Sequence, residues 1–337
     1  MIRAAASSAS SAAARAAAAA IIEAGGTAVD AVIAGFLAAA GERPGVLLAP
    51  AVALVAGTGA GARAYDGRSA QPGLGVARPR GFVAGAPIPE AAYAAAPRSI
   101  VMLVLLHGHR GRTSLSVLAR DGIAAAEAQG EKARAGLIRR VGAAGVLALR
   151  ASEVARPLLA AAGPVAGGLL TERDLEESRP AEAEAFTTAL ASGASAFTVP
   201  WSPPEASAGG AEAIVACDGR GIVAAIAYAP TGSGLLVPEL GISLASDAVP
   251  VLRGITRVTP GTPLAAPAPI AILGRKGFWA SIGLTGLARL RPEALDGLAS
   301  GQAIETALAE LRAQEDARAA VIATSDERLG RSAVSEG

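Results

Sequence analysis

The sequence predicts an α+β chain with helices and sheets stacked in layers. Three observations carry that expectation. Helical signals crowd the stretch between residues 12 and 162. From residue 211 onward short apolar runs take over, the first two flanking Asp218-Gly219-Arg220. A late stretch, 302–313, places Ile304, Leu308 and Leu311 on one helical face. Helices first, strands second and further helices last fit a layered or sandwich arrangement.

Taken in order, residues 12–24 read as an alanine-rich helix stopped by Gly25-Gly26, a C-terminal cap signal. Thr27 is a good N-cap and Asp30 falls in the first turn of a second apolar helix running to Ala40. Residues 46–56 are β-tolerant, Gly57, Gly59 and Gly61 interrupt them, and Arg63-Ala64-Tyr65-Asp66-Gly67-Arg68 reads as a strand entering a turn. The proline- and glycine-rich stretch 72–97 reads as a surface excursion. Helices are expected over 99–107, 114–128, 131–145 and 151–162, and Thr171 with Asp174 forms a capping pattern. Residues 183–208 read as a loop-rich crossing. Residues 211–217 and 221–228 then form a hairpin around the Asp-Gly turn, with further short runs at 234–237, 268–273 and 320–323.

Composition narrows the function. The chain has 337 residues, 52% apolar and 18% charged, so a large core is affordable and wholesale disorder is not expected. Net charge is +1 and aromatics are 3%, which argues against a nucleic-acid surface. One cysteine excludes an intramolecular disulfide and a cysteine zinc cluster. The alanine- and serine-rich start lacks the apolar block of a signal peptide, and no run has the Leu/Ile/Phe content of a membrane helix. The expectation is a soluble, cytoplasmic protein that uses no membrane and no cofactor.

Several motifs together carry a resemblance. Glu23-Ala24-Gly25-Gly26-Thr27-Ala28-Val29-Asp30-Ala31 is similar to E-x-G-G-N-A-V-D-A. Tyr65-Asp66-Gly67-Arg68-Ser69-Ala70-Gln71-Pro72 is similar to D-x-R-E-x-A-P. Gly168-Leu169-Leu170-Thr171-Glu172-Arg173-Asp174-Leu175 matches G-x-L-T-x-x-D-L. Thr231-Gly232-Ser233-Gly234-Leu235-Leu236-Val237-Pro238 with Gly241-Ile242 is similar to F-G-S-G-V-V-V-P and G-I-L-L. Pro260-Gly261-Thr262-Pro263-Leu264 with Pro267-Ala268-Pro269 is similar to P-G-K-R-P-L-S-S-M-S-P. In order and spacing the set resembles the gamma-glutamyltransferases, within the N-terminal-nucleophile hydrolases, in a shortened and degenerate form.

The resemblance implies a four-layer αββα sandwich: one domain over 1–337, with a mainly helical part at 1–208 and a strand-rich part at 209–337. It also implies a precursor that cuts itself before a threonine, whose freed amine then serves as base for its own hydroxyl. The family's T-T-H falls on Gly209-Gly210-Ala211, counted back from the Asp-Gly turn. Glycine offers no nucleophile, so neither turnover nor self-cleavage is expected. The nearest hydroxyl is Ser207, a candidate displaced nucleophile whose plain alternative is a loop serine. Cys217, in the following strand, reads as a small buried residue.

Supporting positions change together. Tyr228 or Ala229 replaces an asparagine, and Ala265 and Ala266 replace paired serines. Ala248-Val249 replaces an acidic pair, with only Asp247 near. Of a glycine pair, Gly277 remains beside Phe278. Loss of one preorganised oxyanion donor already costs orders of magnitude in rate. Arg68 is retained, and the resemblance implies that it grips a substrate carboxylate; the alternative is an arginine paired with an acidic neighbour. His107 and His109 are a weak metal pair and read as a solvated helix end. Gly57, Gly59 and Gly61 lack the lysine of a phosphate loop. Three expectations follow: an inactive structural or regulatory subunit that forms homo- or hetero-oligomers with a protein partner; an enzyme using Ser207; or a protein binding a glutamate-like carboxylate through Arg68.

Overall fold

The computed structural model describes residues 5–57, 59, 61–77, 81–177, 181–201, 211–232, 234–264, 270–275, 278–286, 292–313, 317–324 and 332–336. The chain opens with a short strand, β1 (Ala6–Ala9), and two helices, α1 (Ala12–Glu23) and α2 (Ala28–Glu42). Ser11 Oγ accepts from Ala14 N to start α1, and Thr27 Oγ1 accepts from Asp30 N to start α2. Gly25 follows the end of α1 at φ +77°, a conformation that favours glycine. Alanine and glycine along α2 let it be buried from Ala28 to Gly41.

An antiparallel pair follows, β2 (Ala51–Gly57) and β3 (Gly61–Gly67), and then α3 (Ser99–Arg110), α4 (Leu115–Leu118), α5 (Arg120–Ala128), α6 (Lys132–Ala144), α7 (Ser152–Ala162) and α8 (Glu172–Glu176). The helical stretch expected over 114–128 is thus divided at Ala119. At α8 the Thr171–Asp174 capping box is fully formed. The later elements are β4 (Ala181–Glu184), β5 (Phe186–Ala189), β6 (Ser195–Thr198), β7 (Glu212–Cys217), β8 (Ile222–Tyr228), β9 (Leu235–Val237), β10 (Ile242–Leu244), β11 (Ile270–Arg275), β12 (Phe278–Gly286), α9 (Pro292–Ala299), α10 (Ile304–Ala313), β13 (Ala317–Thr324) and β14 (Ser332–Glu336).

Two six-stranded antiparallel sheets organise the chain, ordered β1-β7-β8-β2-β3-β4 and β14-β13-β12-β11-β6-β5; β9 and β10 pair separately. The first sheet interleaves strands from both halves of the sequence. Apolar residues fall into successive cores. One joins α1, α2, α3 and α6 to the first sheet through residues such as Phe36, Leu37, Ile100, Ile138, Ile214 and Tyr228. A second joins the two sheets through Val52, Leu54, Val215, Val223, Ile270 and Ile272. A third joins the second sheet to α9 and α10 through Leu273, Ile282, Leu295, Leu298 and Ile304. Alternation along each strand sends neighbouring residues to different cores, as in Ile214 against Val215.

Four expectations need correction. The crossing at 183–208 contains two paired strands, β5 and β6. The 72–97 stretch is not purely superficial, because Ala91, Ala92, Ala94, Ala95 and Ala96 are buried and Ala96 bridges Ala70. The apolar run at 46–56 becomes strand only from Ala51, its earlier half being a buried turn. Strand β12, unmarked in the sequence reading, is central to the second sheet. Among the described residues, no helix is long and apolar enough to cross a membrane.

Candidate functional site

The resemblance puts the family's nucleophile position at Gly209, just ahead of β7. Ser207, Gly209 and Gly210 lie outside the described residues, as do Ala265, Ala266 and Gly277. The structure describes the strand from Ala211, which is buried, and Glu212. Antiparallel register puts Glu212 opposite Tyr228 at the end of β8. The Tyr228 hydroxyl donates to Glu212 Oε2 at 2.7 Å. Arg43, the C-cap of α2, grips the same carboxylate with both Nη atoms.

This cluster closes the junction of α2, β7 and β8. The Tyr228 ring is fully buried and stands edge-on to Phe36, centroids 5.2 Å apart. Burial, and then the negative charge of Glu212, push the Tyr228 phenol well above its ordinary range. The hydrogen bond to Glu212 pushes the Arg43 guanidinium up, against the opposing effect of burial. Sequence reasoning missed Arg43 and Glu212. Their only signal was a charged residue entering an otherwise apolar run at 211–217.

Arg68 sits just beyond the end of β3, held by a carboxylate two residues earlier. Asp66 Oδ1 accepts from Arg68 Nε at 3.0 Å, Oδ2 accepts from Nη2 at 3.1 Å, and Oδ1 also accepts from the Arg68 backbone at 3.0 Å. Asp66 is buried, and Arg98 Nη1 approaches its Oδ2 at 3.5 Å. The Arg68 guanidinium lies 5.1 Å from the Trp201 ring centroid, and its Nη1 reaches Leu264 O at 3.5 Å. Trp201 and Leu264 are the last described residues before 202–210 and 265–269. Of the two roles expected for Arg68, the contacts show the pairing with an acidic neighbour. The side chain also stands beside Trp201 and Leu264.

Backbone and amide contacts fix the surroundings. Gln71 exchanges two hydrogen bonds with Val249, Nε2 to the carbonyl at 2.9 Å and backbone N to Oε1 at 3.0 Å. On the other side Leu264 N donates to Ser69 O and Gln71 N to Thr262 O. The 68–71 segment is thereby clamped between 247–249 and 261–264. Asp247 is exposed at this rim, yet surrounding protein on one side displaces water and pushes its carboxyl up, with the Ser69 hydroxyl acting the other way.

Other candidates resolve into local structure. Cys217 is fully buried between the sheets, with Sγ 3.2 Å from Ala323 O, and burial pushes its thiol up to about 12. A thiol in that state is neither exposed nor nucleophilic. Asp218 accepts from Arg220 N, Ile222 N and Ala28 N, fixing the hairpin turn and tying it to α2. His107 Nε2 meets Thr113 O at 2.7 Å, while exposed His109 faces Glu182 at 3.0 Å and Tyr65 at 3.4 Å. The helix end is thus tied to β4 and is not wholly solvated. No group of three potential metal ligands occurs among the described residues. Gly57 and Gly61 are register partners across the β2–β3 turn, so this glycine run joins strand to strand, unlike a phosphate loop.

No protein-family model matches the chain, and no curated protein matches it. Solved structures do. Cephalosporin acylase from Bacillus halodurans aligns with TM-score 0.73 at 14% identity, over 100% of this chain and 96% of that one. LmbA2991 aligns with TM-score 0.71 at 14% identity, over 100% and 98%. A gamma-glutamyltranspeptidase from Pseudomonas nitroreducens also matches, over 57% of this chain and 70% of that one, at 18% identity and TM-score 0.48. At such identities, the near full-length matches establish a shared fold.

Proposed function

We propose that this chain, which has the fold of the N-terminal-nucleophile hydrolases, is a catalytically inactive, gamma-glutamyltransferase-like protein. In this reading it is a structural or regulatory subunit of an amide-processing assembly. The single observation behind it is Gly209, three residues before β7 begins, where a threonine nucleophile would stand. Three features support it. The hairpin that would carry the nucleophile is kept. Glu212, Arg43 and Tyr228 fill its head with a closed ionic cluster. The thiol of Cys217 is locked between the sheets. We read the successive cores as the layers of an αββα sandwich, uncleaved between 1–208 and 209–337.

The test is direct. Purified chain should give one intact mass of about 33.0 kDa after prolonged incubation and release nothing from gamma-glutamyl anilides above the buffer rate. Two fragments divided near residue 208, or turnover lost on Ser207→Ala, would overturn the reading in favour of an enzyme with a relocated nucleophile. An inactive scaffold of this kind acts through a protein partner, a second copy or an active amide-processing enzyme in the cytoplasm. Co-purification from the native cells identifies it.

A second reading has its own observation. Arg68 is oriented by the two hydrogen bonds it donates to Asp66 and lies over the Trp201 ring, an arrangement suited to planar recognition of a carboxylate. As a binding protein the chain would take a glutamate-like ligand there. Calorimetry with L-glutamate should then show heat that Arg68→Ala abolishes, and no heat with the native chain removes this reading.

A further inference from the structure

We propose that the groove where Val76 and Phe82 face residues 251–257 is a binding site for a medium-chain carboxylate, an unbranched apolar tail with one anionic end. The two walls are joined through their backbones. Phe82 N donates to Val251 O at 2.8 Å and Arg253 N to Phe82 O at 2.9 Å, with Phe82 bridging Leu252 in parallel register. Two hollows meet along this seam and share Val251.

One hollow, of about 250 Å³, suits the tail. Val76, Phe82, Ala92, Leu169 and Val251 line it, and no charged side chain among the described residues does. Val83 and Val165 are exposed next to its lining residues, and Ile255 is exposed on the other hollow. Apolar side chains scattered singly over a surface mean little. A concave apolar hollow with more of them at its edge marks a place where something apolar docks.

The other hollow, of about 370 Å³, has Arg253 and Arg257 as its charged lining among the described residues. One backbone carbonyl steadies each guanidinium. Arg253 Nε donates to Gly81 O, and Arg257 Nη1 donates to Val76 O, both at 3.1 Å. Among the described residues neither arginine is paired with a carboxylate, which leaves the Nη1–Nη2 edge of Arg253 and the Nε–Nη2 edge of Arg257 uncommitted. Each edge is a fork of two parallel donors, the shape that grips both oxygens of a carboxylate. A positive rim beside an apolar hollow selects a ligand that joins both properties. A neutral chain leaves the rim unused, and a short anion leaves the hollow wet. This site depends on neither the inactive-subunit reading nor a ligand at Arg68.

Calorimetry on the full chain tests it, with butyrate, hexanoate and octanoate as probes and 1-octanol as the uncharged one. Affinity should rise about fourfold with each methylene from butyrate to octanoate, the gain for burying one such group. 1-Octanol offers no charge to the arginine forks and should bind about tenfold more weakly than octanoate. Arg253→Gln and Arg257→Gln should each weaken octanoate by about tenfold and leave 1-octanol unchanged. Because 1-octanol reports on the hollow alone, it separates a lost ionic contact from a lost fold. Leu169→Asn should flatten the chain-length series with both arginines in place. No heat with octanoate overturns the proposal, as does equal affinity for octanoate and 1-octanol. Octanoate affinity unchanged in both arginine variants, or an affinity that does not grow with chain length, overturns it equally.

Discussion

Arg43 and Glu212 close a two-pronged ion pair across 169 positions of sequence, Nη1 on Oε1 and Nη2 on Oε2, each at 2.5 Å. The pair fastens the end of α2 to the start of β7. Its geometry is the parallel fork that makes arginine–carboxylate contacts directional.

Breaking that anchor should cost stability more than a surface pair would. Glu212→Gln keeps the shape but removes the charge that both Arg43 and the buried Tyr228 hydroxyl address. The expected loss is about 1–3 kcal/mol, the scale for leaving a buried polar partner poorly satisfied. Urea unfolding of Glu212→Gln, Arg43→Ala and the double variant measures it. The double variant should lose less than the sum of the singles, because the two side chains share one interaction.

Alkaline pH should weaken the fold through the same cluster. Tyr228 has its phenol pushed well above the ordinary range by burial and by Glu212. A raised folded-state value means that the stabilisation is complete below the unfolded-state value of about 10 and falls as pH climbs from there toward the folded value. The limiting slope is about 1.4 kcal/mol per pH unit for one such group. Unfolding free energies between about pH 8 and 11 should therefore fall, and Tyr228→Phe should flatten the decline. Tyr65, also raised by burial first, leaves a residual slope. An identical pH profile in Tyr228→Phe refutes the assignment.

The thiol of Cys217 should behave as part of the core. Its Sγ lies against Ala323 O and near Ser281, and burial pushes it up to about 12. An aromatic disulfide reagent at mild alkaline pH should label the native chain no faster than the chain unfolds, and label it at once in denaturant. Rapid labelling of native protein would mean that the two sheets do not close over this position.

Much of this architecture was legible because its signals are local. The Asp218-Gly219 turn fixes β7 and β8, and the structure adds why: Asp218 accepts two amides of its own turn and one from α2. Thr27 and Thr171 cap helices as their spacing predicts. What escaped is non-local. Strands β5, β6 and β12 are short, or broken in pattern by Gly283 and Gly286, and they gain their identity from partners far away in sequence. Arg98, at the N-cap of α3, meets Asp66 only because β3 brings that residue beside it. For the site, Arg68 was marked by its motif, whereas Glu212 needed the register with Tyr228 to acquire meaning. Composition could not supply either pairing.

Two glycines set how closely α2 and α5 cross. A Cβ on Gly41 would stand 2.0 Å from Gly122 O, and one on Gly122 would stand 2.2 Å from Leu37 O. Both obstacles are backbone atoms, which cannot swing aside as a side-chain tip would. Alanine at either position must push the helices apart, opening the core around Leu37, Leu118 and Ile138. Helix propensity alone favours alanine over glycine by about 1 kcal/mol, so an exposed or loosely packed site would gain stability. Here the steric term should win, with a net loss of about 1–3 kcal/mol, the range for overpacked cores. Chemical denaturation of Gly41→Ala and Gly122→Ala gives the sign, and stabilisation in either would show that the two helices do not approach this closely in solution.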